Sequence, residues 1–315
     1  MDFSNETPTP PSAYELPPFV VLLLLVVAAL IGAGIGGGLA YGWANWQGLD
    51  LQTLISGLSE SSPRPERDAV RMVNFLSHLA SFTLPAIMVA MLAYRNRWIS
   101  YFKLNRSPGS AIFVLGIFFV LVSFPFVQLT YWLNQQLPLP SWATQMETAA
   151  EEMIKGILVM ESPAELLFNI LVVGVLPAIG EELLFRGVVQ QQLQRAFNRP
   201  VLAIWLTALV FSAIHMQFAG FIPRMVLGAV LGYLFYWSKS LWVPILAHFV
   251  TNSMQVVAQY VSGGKLTQME LDKPESANWI AGIVSLAATI ALGYYLWKKH
   301  QDMHVLTEDR KPANP

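Results

Sequence analysis

The chain has 315 residues, 54% of them hydrophobic and 12% charged, against the roughly one quarter charged that is usual in soluble globular proteins. This balance points to a membrane protein; the net charge of −1 singles out no charged partner, and no nucleic-acid signature is present. With no cysteine, disulfides, thiolate metal sites and a cysteine nucleophile are excluded.

The N-terminal stretch MDFSNETPTPPSAYELPP carries Asp2, Glu6 and Glu15 but no lysine or arginine. It lacks the cationic region of a cleaved signal peptide, so the first apolar run is expected to be retained. Crossing the hydrocarbon takes about 20 residues at about 1.5 Å each. Runs of about that length are predicted at 18–40, 72–94, 111–133, 164–185, 201–217, 222–238, 241–261 and 278–297. The expected fold is all-α, a polytopic bundle of about eight transmembrane helices. In the first run Gly32 and Gly36, Gly34 and Gly38, and Gly38 and Gly42 have the small-xxx-small spacing that permits close helix packing, here expected within the chain. Residues 43–71 and 134–163 read as long loops on one side of the membrane. The second contains TAAEEMIKGILVM, an amphipathic helix candidate for the membrane surface, whose Glu151–Glu152 pair reads as a solvated face. The polar tail from Lys298 onward, ending in KPANP, is expected to be mobile.

Basic residues favour cytoplasmic loops. One side of an eight-span chain collects the N-terminus, Arg95, Arg97, Lys103, Arg106, Arg186, Arg195, Arg199, Lys239, Lys298, Lys299, Arg310 and Lys311. On the other, Arg64, Arg67, Arg71, Lys155, Arg224, Lys265 and Lys273 are diluted by acids that include Glu147, Glu161, Glu165, Glu270, Asp272 and Glu275. Both termini are therefore expected to be cytoplasmic.

Ionisable groups at membrane depth are costly and usually face an interior or a cavity. Three clusters stand out. In GEELLFRG, Glu182 and Arg186 share a helix face at i, i+4, and Glu181 is turned about 100° away. One carboxylate can be held in an ion pair while its neighbour stays available for a proton. In FSAIH, Phe211 and His215 share a face; in HFVTN, His248 and Asn252 do. Each pair alone also fits a plainer role: a buried salt bridge, a packed histidine, a core phenylalanine, an interhelical amide. With a turn centred near Asn198, Glu181 and His215 each lie 17 residues from it and are level in an antiparallel hairpin. His248 and Asn252 lie roughly 10 to 17 Å along the seventh run from the same side. All can meet in one buried polar chamber, and the polar GVVQQQLQRAFNR suggests approach from the cytoplasmic side.

EELLFR, FSAIH and HFVTN, in this order, resemble the EExxxR, FxxxH and HxxxN motifs of the CPBP family, which comprises CAAX proteases and bacteriocin-processing or Abi proteins and includes the type II CAAX prenyl endopeptidases. The resemblance covers about 164–261 and fills every motif position. Together with the predicted spans it divides the chain into three parts: spans one to three with their long loops over 1–163, a protease-like catalytic core of spans four to seven over 164–261, and a last span with a polar cytoplasmic tail over 262–315. It further implies an intramembrane endopeptidase in which Glu181 activates the attacking water and His215 helps to hold it. Glu182 and Arg186 would orient that carboxylate, with Phe211 in support, and His248 with Asn252 would stabilise the oxyanion. Such chemistry is coherent in itself, because a carboxylate withdrawn from water is a stronger base and donors in a dry pocket lower the barrier. Ser212 and Ser253 belong to no recognisable triad and read as packing residues. Glu181, His215 and His248 have the composition of a catalytic zinc site, but HExxH is absent. No cofactor is required by this reading; a divalent metal such as zinc, if bound, would use those three residues. His78, near Asn74 and Ser77 in the second run, can line the chamber or satisfy another helix, and the structural role is expected. The expected partners are the lipid bilayer and a peptide, lipidated or membrane-protein substrate, in what reads as a bacterial plasma membrane. Alternatives are a non-proteolytic immunity, stress or scaffold protein of the same fold, or a proton-coupled transporter, although no repeat-related broken helices are visible.

Overall fold

The computed structural model describes residues 16–263 and 278–308, with side chains as far as 301. Among the described residues it contains no strand and ten helices, in which short π-helical or 3₁₀ turns continue their neighbours. They are α1 (Pro18–Trp46), α2 (Leu51–Gly57), α3 (Arg64–Tyr101), α4 (Ser110–Gln135), α5 (Ser141–Leu158), α6 (Pro163–Phe197), α7 (Pro200–Ala213), α8 (Phe221–Ser238), α9 (Trp242–Val261) and α10 (Trp279–Glu308). Six of them, α1, α3, α4, α6, α8 and α10, are long and apolar enough to cross a bilayer. The chain is a multi-pass helical membrane bundle.

The expected count of about eight is not confirmed among the described residues, for two physical reasons. Helix α7 is apolar but has only 14 residues, about 21 Å of helix. Helix α9 has the length, 20 residues, but carries His248, Thr251, Asn252, Ser253, Gln255 and Gln259. The fifth run was expected to continue to 217, and the helix stops at Ala213. The His215 backbone N–H turns to Ser212 O, and its ring takes the Phe211 carbonyl instead. A side chain thus caps an orphaned helix end.

Prolines inside the spans free backbone groups that neighbouring helices satisfy, as an apolar surrounding demands. Pro125 cannot donate within α4; there Ser285 of α10 donates to Val122 O at 2.5 Å and accepts from Phe126 N at 3.1 Å. Pro85 and Pro177 each open an α-helical stretch directly after a π-helical one, Leu79–Thr83 and Ile170–Val175. The N–H that Pro177 lacks would have served the carbonyl of Val173, four residues back. Asn252 Nδ2 serves it from α9, at 3.1 Å.

Close packing of α1 on α3 uses Gly32 and Gly36. A Cβ at Gly32 would strike the Ala80 carbonyl, and one at Gly36 would come within 3.0 Å of Ser77 Cα. Gly34, Gly38 and Gly42 meet nothing within 4 Å, so only one of the three small-residue pairs is used inside the chain. Helix α5 bears out the amphipathic expectation, with Glu152 and Lys155 paired at 3.2 Å on its exposed side. The tail expectation changes: α10 continues through Lys298 and Lys299 to Glu308, and His300 is buried with Nδ1 3.0 Å from Trp237 O. Residues 1–15, Lys265, Glu270, Asp272, Lys273, Glu275, Arg310, Lys311 and the KPANP end, invoked above, lie outside the described residues.

Arg67 and Arg71 do not sit in a solvated loop as expected, because α3 begins at Arg64 and carries both inward. Arg71 is 0% and Glu165 1% exposed. Glu165 Oε1 accepts from Arg67 at 3.0 Å and from Arg71 at 3.1 Å. Arg71 also donates to Ile157 O at 2.8 Å and Val159 O at 2.5 Å, which joins the end of α5 to α3 and α6. Removing one partner from a buried ion cluster is far costlier than the net worth of the cluster. Arg71→Ala is therefore expected to lower stability by about 3 kcal/mol or more, read as a reduced thermal midpoint of the purified protein in detergent.

Candidate functional site

Glu181 and Glu182 close the α-helical stretch Leu176–Glu182, and the π-helical stretch Leu183–Gln190 follows at once. Such wide turns frequently mark functional sites. Both carboxylates lie inside the bundle, Glu181 6% and Glu182 0% exposed, but they are treated differently. Glu182 Oε1 accepts from Arg186 Nη1 at 2.7 Å and from His248 Nδ1 at 2.9 Å. Its Oε2 is buried with no partner among the described residues. Arg186 extends further, with Nη2 on the Gly228 carbonyl of α8 at 2.7 Å and its guanidinium 5.0 Å from the Phe211 ring centre. One turn on, Gln190 Nε2 donates to Gly232 O at 3.0 Å. Helices α6, α8 and α9 are thus tied through the side chains beside Glu182.

Glu181 points elsewhere. Its Oε1 lies 3.3 Å from His78 Nε2, and its Oε2 faces His248 Nε2 across 3.9 Å. Oε2 accepts no hydrogen bond from a described residue. With Nδ1–H on Glu182, His248 is fixed in rotation and its Nε2 is presented to Glu181. His215 is likewise fixed: Nδ1 donates to Phe211 O at 2.7 Å, which leaves Nε2 as its other ring nitrogen. The Phe211 ring packs on both histidines, centroids 5.0 Å from His215 and 6.3 Å from His248.

The structure therefore brings Glu181, Glu182, Arg186, Phe211, His215 and His248 together. Asn252 lies one turn beyond His248 and is engaged with Val173 O, the interhelical contact described above. Ser212 Oγ donates to Phe221 O at 2.6 Å, and Ser253 packs against Gly174. For a zinc ion the donor types suit but the arrangement does not. Among the described residues no group of three His, Asp or Glu side chains is placed to hold a metal. Beside α9 runs an apolar cleft lined by Phe113, Val175, Ile179, Trp242, Ile245 and Phe249.

Several neighbours escaped the sequence reading. His78, assigned a structural place, touches Glu181; the available signal was a histidine in the middle of an apolar span. Asn134 and Glu147, from outside the motifs, hold the loop after His215. Glu147 Oε2 accepts from Phe218 N at 2.9 Å and Ala219 N at 3.3 Å, while Asn134 Nδ2 donates to both carbonyls of that pair, at 2.8 and 2.9 Å. Nothing in their spacing announces this, since the contacts join residues 71 to 85 positions apart.

Residues 163–254 match the family described as type II CAAX prenyl endopeptidase Rce1-like. That is the family to which the three motifs pointed, and the matched segment contains Glu181 through Asn252. An uncharacterized protein of Bacillus subtilis (strain 168), YpbD, is 30% identical over 90 residues, 27% of this chain and 43% of that protein. The chain thus spans less than half the length of this curated relative. No solved structure matches the chain.

Gly180 precedes the carboxylates for a steric reason. A Cβ there would lie 2.5 Å from Thr83 Oγ1 and 2.9 Å from His78 Cε1. Gly180→Ala is expected to cost about 1–3 kcal/mol by overpacking, whereas Gly34→Ala, in open space, should leave the thermal midpoint in detergent unchanged or raised.

Proposed function

We propose that the chain is an intramembrane endopeptidase, acting on a hydrophobic or membrane-associated peptide with a water molecule activated by Glu181. The observation that carries this reading is the division of labour between adjacent carboxylates. Glu182 is held by Arg186 and His248, while Glu181 Oε2 faces the chamber without a donor. The peptidase family matched over 163–254 supports the same reading.

In this mechanism a water donates one hydrogen to Glu181 Oε2 and the other to His215 Nε2. Its oxygen attacks the scissile carbonyl carbon as its proton passes to Glu181, and the carbonyl oxygen becomes an oxyanion. His248, acting in its doubly protonated form with Nδ1–H on Glu182, presents Nε2–H as one donor to that oxyanion; the second amide hydrogen of Asn252 is the other. Glu181 then returns the proton to the leaving nitrogen, the C–N bond breaks, and a carboxylic acid and an amine result. Arg186 and Phe211 act by fixing Glu182 and the two histidines. No step requires a metal.

Purified protein in detergent, offered a quenched-fluorescent peptide library, tests this. Cleavage by wild type should fall by about 100-fold or more in Glu181→Ala, the contribution expected of a positioned general base. It should be unaffected by chelator. Identical background in wild type and variant across the library would instead favour a non-proteolytic protein of this fold, and loss of cleavage on chelation would favour a metalloenzyme.

A further inference from the structure

Histidine 78 belongs to the half of the chain outside the matched segment, yet its ring is built into the site. Helix α3 carries it at the last α-helical position before the π-helical turn Leu79–Thr83. Phe82, within that turn, stacks on the imidazole with centroids 4.5 Å apart and planes 15° from parallel. On another side the missing side chain of Gly180 leaves the room the ring fills. Gly36 of α1 presses on the backbone of Ser77, the preceding residue. The ring thus has little freedom to rotate, and its two nitrogens differ sharply. Nδ1 is buried with no partner among the described residues. Nε2 lies 3.3 Å from Glu181 Oε1. In a neutral imidazole the single N–H belongs where an acceptor waits, so it sits on Nε2 and points at the carboxylate.

We propose that His78 is a positioning residue for the hydrolytic reaction: its Nε2–H pins Glu181 Oε1 and so leaves Oε2 as the oxygen that takes the proton from water. A carboxylate held by one oxygen cannot exchange its two oxygens by rotating about its terminal torsion. Oε2 therefore stays 3.9 Å from His248 Nε2, inside the chamber. Preorganisation of this kind matters because small misplacements of a catalytic group are expensive in rate. His78 acts through Glu181 and touches no substrate in this account, so it governs the chemical step rather than binding. It also gives the N-terminal part of the chain a share in the site.

The kinetic readout rests on the peptidase reading, and the spectroscopic one does not. For the first, the cleavage assay compares wild type with His78→Phe and His78→Gln, each checked for an unchanged gel-filtration profile and thermal midpoint. Phenylalanine fills the space without a donor and should lower kcat by about 100-fold, the cost of a misplaced catalytic group, with KM little changed. Glutamine supplies an N–H near the same place and should restore most of the rate. A folded Phe variant with wild-type kcat, or a Gln variant no better than Phe, would overturn the proposal. For the second, ¹⁵N-histidine-labelled wild type and Glu181→Gln are compared by NMR, with His78→Gln to assign the signal. The His78 Nε2 resonance should move when Glu181 is neutralised. If it does not, the proposal fails. If wild type cleaves nothing, the peptidase reading fails alone and the NMR comparison decides the role of His78.

Discussion

The buried bond between Glu182 and Arg186, shared with His248, is the constraint around which the rest of the site is arranged. A buried ion pair adds little net stability compared with apolar residues of the same volume, but once present its partners depend on each other strictly. Here the dependence is converted into geometry. Arg186 reaches α8 through Gly228 O, and His248 brings in α9, so three helices are oriented by one carboxylate. The adjacent Glu181, turned to another face of the same helix, inherits a fixed position without being consumed by the network. Two acidic residues adjacent in sequence are thereby placed differently, one tied into three helices and one left facing the chamber.

The surrounding spans carry backbone irregularities that an apolar environment would punish if left unpaired. They are paired between helices: Ser285 beside Pro125, and Asn252 at the carbonyl that Pro177 leaves bare. The second case links fold to site, because the residue that repairs α6 lies one turn from His248. The loop after His215 is secured in the same manner by Asn134 and Glu147. These polar side chains thus settle local backbone problems, and one of them, Asn252, does so one turn from His248.

Much of this was legible in the sequence where chemistry and spacing coincide. Glu182 and Arg186 at i, i+4, Phe211 above His215, and the antiparallel depth match about Asn198 all read directly into the structure. What was not legible depends on long-range contact. Arg67 and Arg71 look like loop charges until Glu165 arrives from nearly a hundred residues away. The π-helical turns have no propensity signature, although two of them end just before a proline. The count of about eight spans is not confirmed for a related reason, since the polar residues of α9 lower its hydropathy, and a ring in place of a backbone donor closes α7 early. His78 was given a structural place because, without a motif partner within its own helix, only its depth in an apolar span marks it.

The central claim, that one carboxylate is held and its neighbour is held in reserve, can be tested without knowing any substrate. The measurement is the thermal midpoint of Glu182→Gln and Glu181→Gln beside wild type in the same detergent. Neutralising Glu182 should leave Arg186 buried and poorly paired, and the midpoint should drop sharply. Neutralising Glu181 removes a buried charge that the fold does not use for bonding between α6, α8 and α9, so the midpoint should stay or rise. The reverse order, with Glu181→Gln the more damaged, would contradict the account.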